Sequence, residues 1–513
     1  KVENKVASGT TSGTCNGVSS ETTYPSVGTM LVENSIDTDK VQAYTLTVTY
    51  KETNTDQSID MNKRFSGKVN IVDPKLFGPF GTDTLASTII NTAKNQTDDK
   101  NKMGYAMYRE TPSTKIGESI IYYNGNVINK EVSEAGYTYD SLKVANSLED
   151  AKDFNNLIDT DNTKCVSDQI NKYLRLGYGP TNPYNAKIVG CENGKYIIQV
   201  EDRSIESSLS VTEDDYGTSY YFRGNVIDNY VNFANLTWRI VRINGDGTLR
   251  LILDDVAKDS SGNVIKTAFN TTAGDNAYVG YMYGTPGSTT YDATHENKNN
   301  STIKVAVDKW YEDNLKTNYS NYLADTLFCG DKTLAEDGIG GVTTQLGYGK
   351  NETYYSSIER LQYSTGTTDI TTLTPTFKCA EKANDNYSRY TTTKSILPNG
   401  KETNGDLKYP IGLLTADEVA YAGAYKESKI NKTYYLYNSS ITSYWWLSSP
   451  NFYYGSFAYW WRVNGSGGYI RDNFHAVDIA DSSVAFRPTI NLKKDIKFTG
   501  TGTSGDPYKI VSE

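Results

Sequence analysis

The chain has 513 residues, roughly three times the length of an ordinary domain, so we expect more than one module. Its 51 basic and 61 acidic residues give a net charge of -10, which argues against nucleic acid as a partner, because such partners are held through their phosphates. It has two histidines, His295 and His475, and no Cys-x-x-Cys pair, so we predict no zinc site and no cofactor. The 42 tyrosines, 14 phenylalanines and 6 tryptophans supply apolar area for β-rich cores. No apolar run reaches the ~20 residues of a membrane-spanning helix.

The first 73 residues carry two predicted strands. Alternate residues from Tyr44 to Tyr50 are apolar, and Phe65 to Ile71 forms a second such segment. Together with the segment Ser12 to Gly17, these strands resemble the later half of the camelysin-type domain of Gram-positive surface and matrix-fibre proteins. The resemblance implies a partial β-sandwich over residues 1–73, for which a partner chain would donate a strand.

Residues 74–215 give a weaker pattern, to which we assign no function. Short helices are predicted over 84–94, 141–156 and 166–176, and a strand over 195–200. The acidic run Glu213-Asp214-Asp215 predicts a solvated boundary to the next module, with a cation site as the alternative. We therefore expect a mixed middle region that ends at residue 215.

The five cysteines are widely separated, which favours an oxidising, extracellular setting over metal binding. Two local bridges are the simplest prediction, Cys329 with Cys379 and Cys165 with Cys191, and free buried thiols are the alternative. Cys15 has no neighbouring cysteine, so its partner is expected elsewhere.

Residues 216–513 give the clearest pattern of secondary structure. Apolar segments flank Asp246-Gly247, which predicts a hairpin because glycine supplies the positive φ of a tight turn. Helical spacing of apolar residues predicts a helix within 302–323 that buries Trp310. Thr415 and Glu418 have the spacing of a capping box at the start of a short helix.

Two further strands are predicted near the carboxyl end, at 443–450 and 484–492. With the helices upstream, they indicate an α+β fold.

The segment between these strands, Asn451 to Ala485, has an unusual composition. It contains no Lys, Glu, Thr, Gln or Leu, and four of the six tryptophans lie in or beside it. Aromatic and small polar residues together are typical of an antibody paratope, although a tyrosine-rich core is the alternative.

Alternation along the strand predicts which side chains of this segment face a ligand. If Val463 and Ile470 point to the core, Trp461 does too. We then expect Trp460, Arg462, Tyr469 and Arg471 to point outward, with loops at Asn451 to Tyr454 and Asp472 to His475 beside them. The predicted ligand-binding residues are Asn451, Phe452, Tyr453, Tyr454, Trp460, Arg462, Asn464, Tyr469, Arg471, Asp472, Phe474 and His475.

The framework around this segment resembles a C-terminal, C-type-lectin-like module of bacterial surface proteins, similar to the variable proteins of diversity-generating retroelements. The resemblance covers about residues 216–513, and its motifs are Tyr230 to Ala234, Trp238 to Arg242, Gly412 to Glu418, Tyr444 to Pro450 and Ala485 to Leu492. It implies a rigid lectin-like head in which the residues between the last two motifs vary.

These observations favour a non-enzymatic binding protein or adhesin on the surface of a Gram-positive-type bacterium, with a protein or glycan ligand and no membrane span in this chain. Two alternatives stay open. One is a fibre or pilus subunit that takes a donated strand. The other is a carbohydrate-active enzyme, which needs two carboxylates facing each other across a cleft.

Overall fold

The conformation comes from a computed structural model. It describes residues 207–363, 373–380, 385–424, 432–475 and 484–511, together with shorter segments nearer the amino end. Those segments are 2–6, 42–46, 80–81, 84–97, 112, 120–123, 126–131, 167–176, 184–192 and 195–202.

The strands are numbered in chain order. They are β1 (Val2–Val6), β2 (Gln42–Leu46), β3 (Ile120–Tyr123), β4 (Asn126–Glu131), β5 (Tyr173–Leu176), β6 (Tyr184–Glu192), β7 (Lys195–Asp202), β8 (Ser207–Asp214), β9 (Gly217–Gly224), β10 (Tyr230–Phe233), β11 (Leu236–Ile243), β12 (Leu249–Leu253), β13 (Met282–Tyr283), β14 (Asn299–Asn300), β15 (Phe328–Cys329), β16 (Thr353–Tyr354), β17 (Arg389–Tyr390), β18 (Ile411–Gly412), β19 (Tyr444–Tyr454), β20 (Phe457–Asn464), β21 (Tyr469–His475), β22 (Thr489–Leu492), β23 (Phe498–Thr499) and β24 (Tyr508–Ile510).

The helices are few and short. They are α1 (Leu85–Thr97), α2 (Tyr291–His295), α3 (Thr302–Asn314), α4 (Lys316–Tyr319), α5 (Ser356–Ile358), which continues as a π-helical turn Glu359–Tyr363, and α6 (Ala416–Ala422). Helices and mixed sheets together confirm the predicted α+β class.

The chain divides into two compact units, residues 1–73 with 398–401, and residues 74–397 with 402–513. In the first unit, β1 and β2 pair antiparallel; the predicted strand Phe65 to Ile71 lies outside the described residues. In the second unit, the expected boundary after residue 215 falls in the turn between β8 and β9, which pair with each other.

A ten-stranded sheet organises the second unit. Its main path runs β18, β22, β12, β11, β10, β24 and β23; β9 joins it through β11, and β8 and β3 follow β9. Helix α3 packs against this sheet, and Trp310 meets Trp238 of β11 edge to face with ring centroids 6.1 Å apart. Both tryptophans are buried, as the sequence predicts for Trp310.

Local patterns predict several elements correctly. β11 and β12 form the predicted hairpin, and the Thr415 side chain and Glu418 form the predicted capping box of α6. The helix predicted over 84–94 is α1, and the strand predicted over 195–200 is β7. The helix predicted over 141–156 lies outside the described residues.

The helix predicted over 166–176 is wrong. Residues Ser167–Gln169 form a single 3-10 turn, and β5 follows, paired antiparallel with β6. Pairing with a neighbouring strand decides the conformation here, and a local pattern does not contain that partner.

None of the helices that the structure describes is both long and apolar enough to span a membrane.

Candidate functional site

The predicted ligand-binding segment belongs to a four-stranded antiparallel sheet in the order β16, β19, β20 and β21. The first cross-strand pair of β19 and β20 is Tyr444 with Asn464. The segments Asn451 to Tyr454 and Asp472 to His475, which were predicted as loops, are strand residues of β19 and β21. The sheet therefore positions these residues through backbone pairing.

Trp460 is a core residue, so the prediction that it points to solvent is wrong. Its ring stacks on Phe269 with centroids 4.7 Å apart, and its Nε1 donates a hydrogen bond to the carbonyl oxygen of Val279 at 2.9 Å. Trp461 is also buried, as predicted. Strict alternation would place the two tryptophans on opposite faces of β20. The pairing of β20 with β21 shifts register between Trp460 and Arg462, and both tryptophans therefore enter the core.

Three more predicted ligand residues, Asn451, Tyr453 and Arg462, are buried. The guanidinium carbon of Arg462 lies 3.8 Å from the centroid of the Tyr444 ring, which is a cation-π contact. The outward prediction for Arg462 is therefore also wrong. These three side chains support the sheet and offer a ligand no surface.

Two predicted residues lie at the rim of the sheet and are partly exposed. The Nδ2 of Asn464 donates hydrogen bonds to the hydroxyl oxygens of Tyr444 at 3.1 Å and Tyr469 at 3.0 Å. The side chains of the remaining predicted residues, Arg471, Asp472, Phe474 and His475, lie outside the described residues. Backbone pairing places His475 opposite Tyr459.

The outer face of the sheet carries a row of stacked rings, here called the aromatic row: Tyr354 on β16, Phe452 on β19 and Tyr459 on β20. The ring centroids are 5.3 Å apart from Tyr354 to Phe452 and 4.3 Å apart from Phe452 to Tyr459, with interplanar angles of 24° and 25°. Phe452 and Tyr459 are partly exposed, and the neighbouring Tyr454 is 48% exposed. The row thus crosses three strands, with Tyr354 buried at one end and Phe452 and Tyr459 at the solvent boundary.

One end of the aromatic row is held by a loop. The amide nitrogen of Tyr354 donates to Oε1 of Gln345 at 2.8 Å. A Cβ on Gly340, which has φ +66°, would come within 2.1 Å of the Tyr354 ring, so the glycine lets the backbone pass directly over that ring.

Sequence reasoning missed two members of the row, Tyr354 and Tyr459. Alternation from Trp461 would turn Tyr459 inward, and the register shift between Trp460 and Arg462 brings it to the outer face instead. Tyr354 lies far upstream, and only the pairing of β16 with β19 brings it beside Phe452.

A second cluster lies inside the unit, where oppositely charged side chains meet at the centre of the large sheet. Arg250 contacts Oε1 of Glu418 at 2.5 Å, and Arg242 contacts the same oxygen at 3.2 Å. Arg242 also reaches Asp214 at 2.6 Å. Asp214 and Asp215 are buried, so the prediction that the acidic run is solvated is wrong for these two residues. Arg242 supplies the counter-charge that burial of Asp214 requires.

Arg360 extends this cluster of charges. Its guanidinium binds both carboxylate oxygens of Asp417, at 2.7 and 2.8 Å, and Oδ2 of Asp331 at 2.5 Å. Burial raises the pKa of Asp331 to about 7, against the opposing effect of Arg360. Between these groups is a small cavity of about 20 Å³. The two carboxylates therefore meet across one arginine, which binds both of them.

The predicted disulfide between Cys329 and Cys379 is confirmed. The amide nitrogen of Cys379 donates to Oδ2 of Asp215 at 2.7 Å, which ties the bridge to the end of the β8 segment. The predicted bridge from Cys165 to Cys191 involves side chains outside the described residues.

No group of three or more His, Cys, Asp or Glu side chains is placed to hold a metal ion within the part of the chain that the structure describes. The aromatic row and its rim form the candidate surface site.

Comparisons with known proteins found no match: no family model, no curated protein and no solved structure matches the chain.

Proposed function

We propose that the chain is a non-enzymatic binding protein of the bacterial cell surface that recognises a protein ligand through the aromatic row. The contact residues are Phe452, Tyr454 and Tyr459, with Asn464 and Tyr469 at the rim. In this proposal residues 216–513 form the C-type-lectin-like head to which their motifs are similar.

The observation that carries the proposal is the position of the row on the sheet. Large rings are usually covered by the core, yet Phe452 and Tyr459 remain partly exposed, and Tyr454 is 48% exposed. Aromatic residues are enriched in protein interfaces, where they supply large contact areas with few rotatable bonds. The strands beneath them are fixed by a core of tryptophans, so a ligand would meet a preorganised surface.

Ring orientation favours a protein over a glycan. In the row, Phe452 stacks on Tyr354 on one side and on Tyr459 on the other, so both faces of its ring are already covered. With its faces stacked on these neighbours, we infer that Phe452 would meet a ligand mainly through its ring edge. A platform that binds sugars by stacking needs an open ring face, whereas ring edges and hydroxyl groups suit the mixed polar and apolar surface of a protein.

Selection of peptides from a phage-displayed random library on the immobilised full chain tests this proposal. We expect the selected peptides to lose about tenfold or more in affinity for Tyr459→Ser and Tyr454→Ser, because truncated interface anchors cost at least about 1.4 kcal/mol each. Val305→Ser is the matched control: Val305 is an apolar side chain on α3 that is 56% exposed.

Peptides that bind the control and both tyrosine variants equally well would contradict the proposal. A glycan array in parallel separates the ligand classes: glycans whose binding depends on Tyr459 would overturn the assignment to a protein ligand.

A further inference from the structure

Lys332 is a fully buried lysine whose hydrogen-bond acceptors are all neutral oxygens. Its Nζ donates to the carbonyl oxygens of Met282 at 3.2 Å and His295 at 2.7 Å, and to Oδ1 of Asn297 at 2.8 Å. Burial lowers the pKa of Lys332 to about 7, although Asp385 and Asp406 act in the opposite direction. The free amine, which is the nucleophilic form of lysine, is therefore well populated near neutral pH.

The side-chain amide of Asn297 is held at both ends. Its Oδ1 accepts hydrogen bonds from Lys332 and from the hydroxyl group of Tyr390, the latter at 3.3 Å. Its Nδ2 donates to Oδ2 of Asp406 at 2.7 Å and to the carbonyl oxygen of Tyr387 at 2.9 Å. Tyr390 thus polarises the amide carbonyl independently of Lys332, and a carboxylate lies beside the nitrogen.

We propose that Lys332 and Asn297 join covalently in an intramolecular amide bond that cross-links the chain. The neighbours of Asn297 match the three needs of this reaction: Lys332 is the amine beside the carbonyl group, the Tyr390 hydroxyl is the donor on the carbonyl oxygen, and Asp406 is the proton carrier beside the leaving nitrogen.

The step balances without any co-reactant. The Nζ lone pair of Lys332 attacks Cγ of Asn297, and the bond from Cγ to Nδ2 breaks. The proton that Nζ gives up ends on the departing nitrogen, which leaves as ammonia. Asp406 is positioned to deliver a proton to the departing nitrogen, because its carboxylate accepts a hydrogen bond from Nδ2 and lies close enough to Lys332 to raise the pKa of that amine.

Confinement explains why a stable amide would react here. Amides resist free amines in solution, but fixing both groups within hydrogen-bond distance raises their effective concentration by many orders of magnitude. The reaction needs to occur only once per molecule, so a slow rate suffices. The cross-link would join the segment after α2 to the segment that follows β15, close to the disulfide at Cys329.

Intact mass spectrometry of the reduced, denatured full chain tests the proposal. We expect a mass lower than that of the sequence by one molecule of ammonia. Lys332→Met and Asn297→Ala should have the full sequence mass, and so should Asp406→Ala, in which an exposed residue is replaced. Denaturation removes noncovalent contacts, so a mass lower by one ammonia reports a covalent change. Because the bond forms only in the folded chain, circular dichroism checks that each variant folds before its mass is compared.

A tryptic digest locates the bond, because ammonia is also lost when an asparagine cyclises. The expected species joins the peptide 267–298, which contains Asn297, to the peptide 317–350, in which cleavage after Lys332 is blocked. The wild-type chain at its full mass would overturn the proposal, and so would an ammonia loss that maps elsewhere. Complete cross-linking in Asp406→Ala would overturn the role of Asp406.

Discussion

The Nη1 of Arg250 lies 2.5 Å from Oε1 of Glu418, and the two side chains, 168 positions apart, are each 2% exposed. The other oxygen of Glu418 accepts a hydrogen bond from the amide nitrogen of Thr415 at 2.9 Å. One carboxylate therefore caps α6 and neutralises an arginine of β12. Two Arg contacts keep the pKa of Glu418 below its ordinary value, although burial acts to raise it.

Replacing Glu418 by alanine should destabilise the unit by about 3 to 5 kcal/mol, because the change leaves Arg250 buried without its counter-charge. Urea unfolding followed by tryptophan fluorescence measures the loss, since all six tryptophans are buried in this unit. Asp313→Asn is the control: Asp313 pairs with Lys309 on the exposed side of α3 and should change little. Equal losses in the two variants would contradict this account.

The stability of the unit should depend on pH through Asp331. Its pKa rises from 3.8 to about 7 on folding, so the folded state binds this proton more tightly than the unfolded chain. The contribution to folding is complete below about pH 4 and is lost as the pH rises through about 7. Relative to Asp331→Asn, the wild-type free energy of unfolding should therefore fall from pH 4 to pH 7. If the free energy of unfolding of the wild type, minus that of Asp331→Asn, stays constant or rises from pH 4 to pH 7, the predicted sign is wrong.

Trp460 and Tyr454 lie in adjacent strands, one in the core and one at the surface. Replacing them should therefore have very different effects on the free energy of unfolding. Trp460→Ala should cost about 3 to 5 kcal/mol, since it empties the space between Phe269 and Trp446. Tyr454→Ala should change the free energy of unfolding by less than about 0.5 kcal/mol, because Tyr454 is 48% exposed. Thermal unfolding followed by circular dichroism measures both variants. If Trp460→Ala is as stable as the wild type, the ring does not fill the core.

The Cys329–Cys379 disulfide should contribute up to about 4 kcal/mol, which is the loop-closure entropy expected for its separation of 50 residues. The variant that carries both Cys329→Ser and Cys379→Ser should unfold at a lower urea concentration than the oxidised wild type. Addition of a reductant should move the wild-type midpoint toward that of the variant. Identical midpoints without reductant would contradict this expectation.

Elements with a strong local signal could be predicted from the sequence. The Asp246-Gly247 turn and the Thr415 capping box depend on contacts within a few residues, and both are confirmed. β5 could not be predicted in this way, because it becomes a strand only by pairing with β6. The C-type-lectin-like fold of the head stays a prediction.

The candidate site was predictable only in part. Composition drew attention to Asn451 to Ala485, where Tyr454 is exposed and Phe452 and Tyr459 are partly exposed. Alternation failed at Trp460, because a register shift depends on the neighbouring strand and leaves no mark in the local pattern. The ion pairs of Arg250 and Arg242 join residues far apart in the chain, so no spacing rule could reveal them.

The register shift beside Trp461 also limits how this protein can evolve. With Trp460 and Trp461 both packed inside, the stretch from Asn451 to Asn464 has few positions where a new side chain would meet only water. Substitutions that preserve the fold should therefore accumulate at positions such as Tyr454 and Tyr459, while Trp460 and Trp461 stay unchanged. Sequence change on the outer face of this sheet would then be confined to a few ring positions, while the packed interior stays constant.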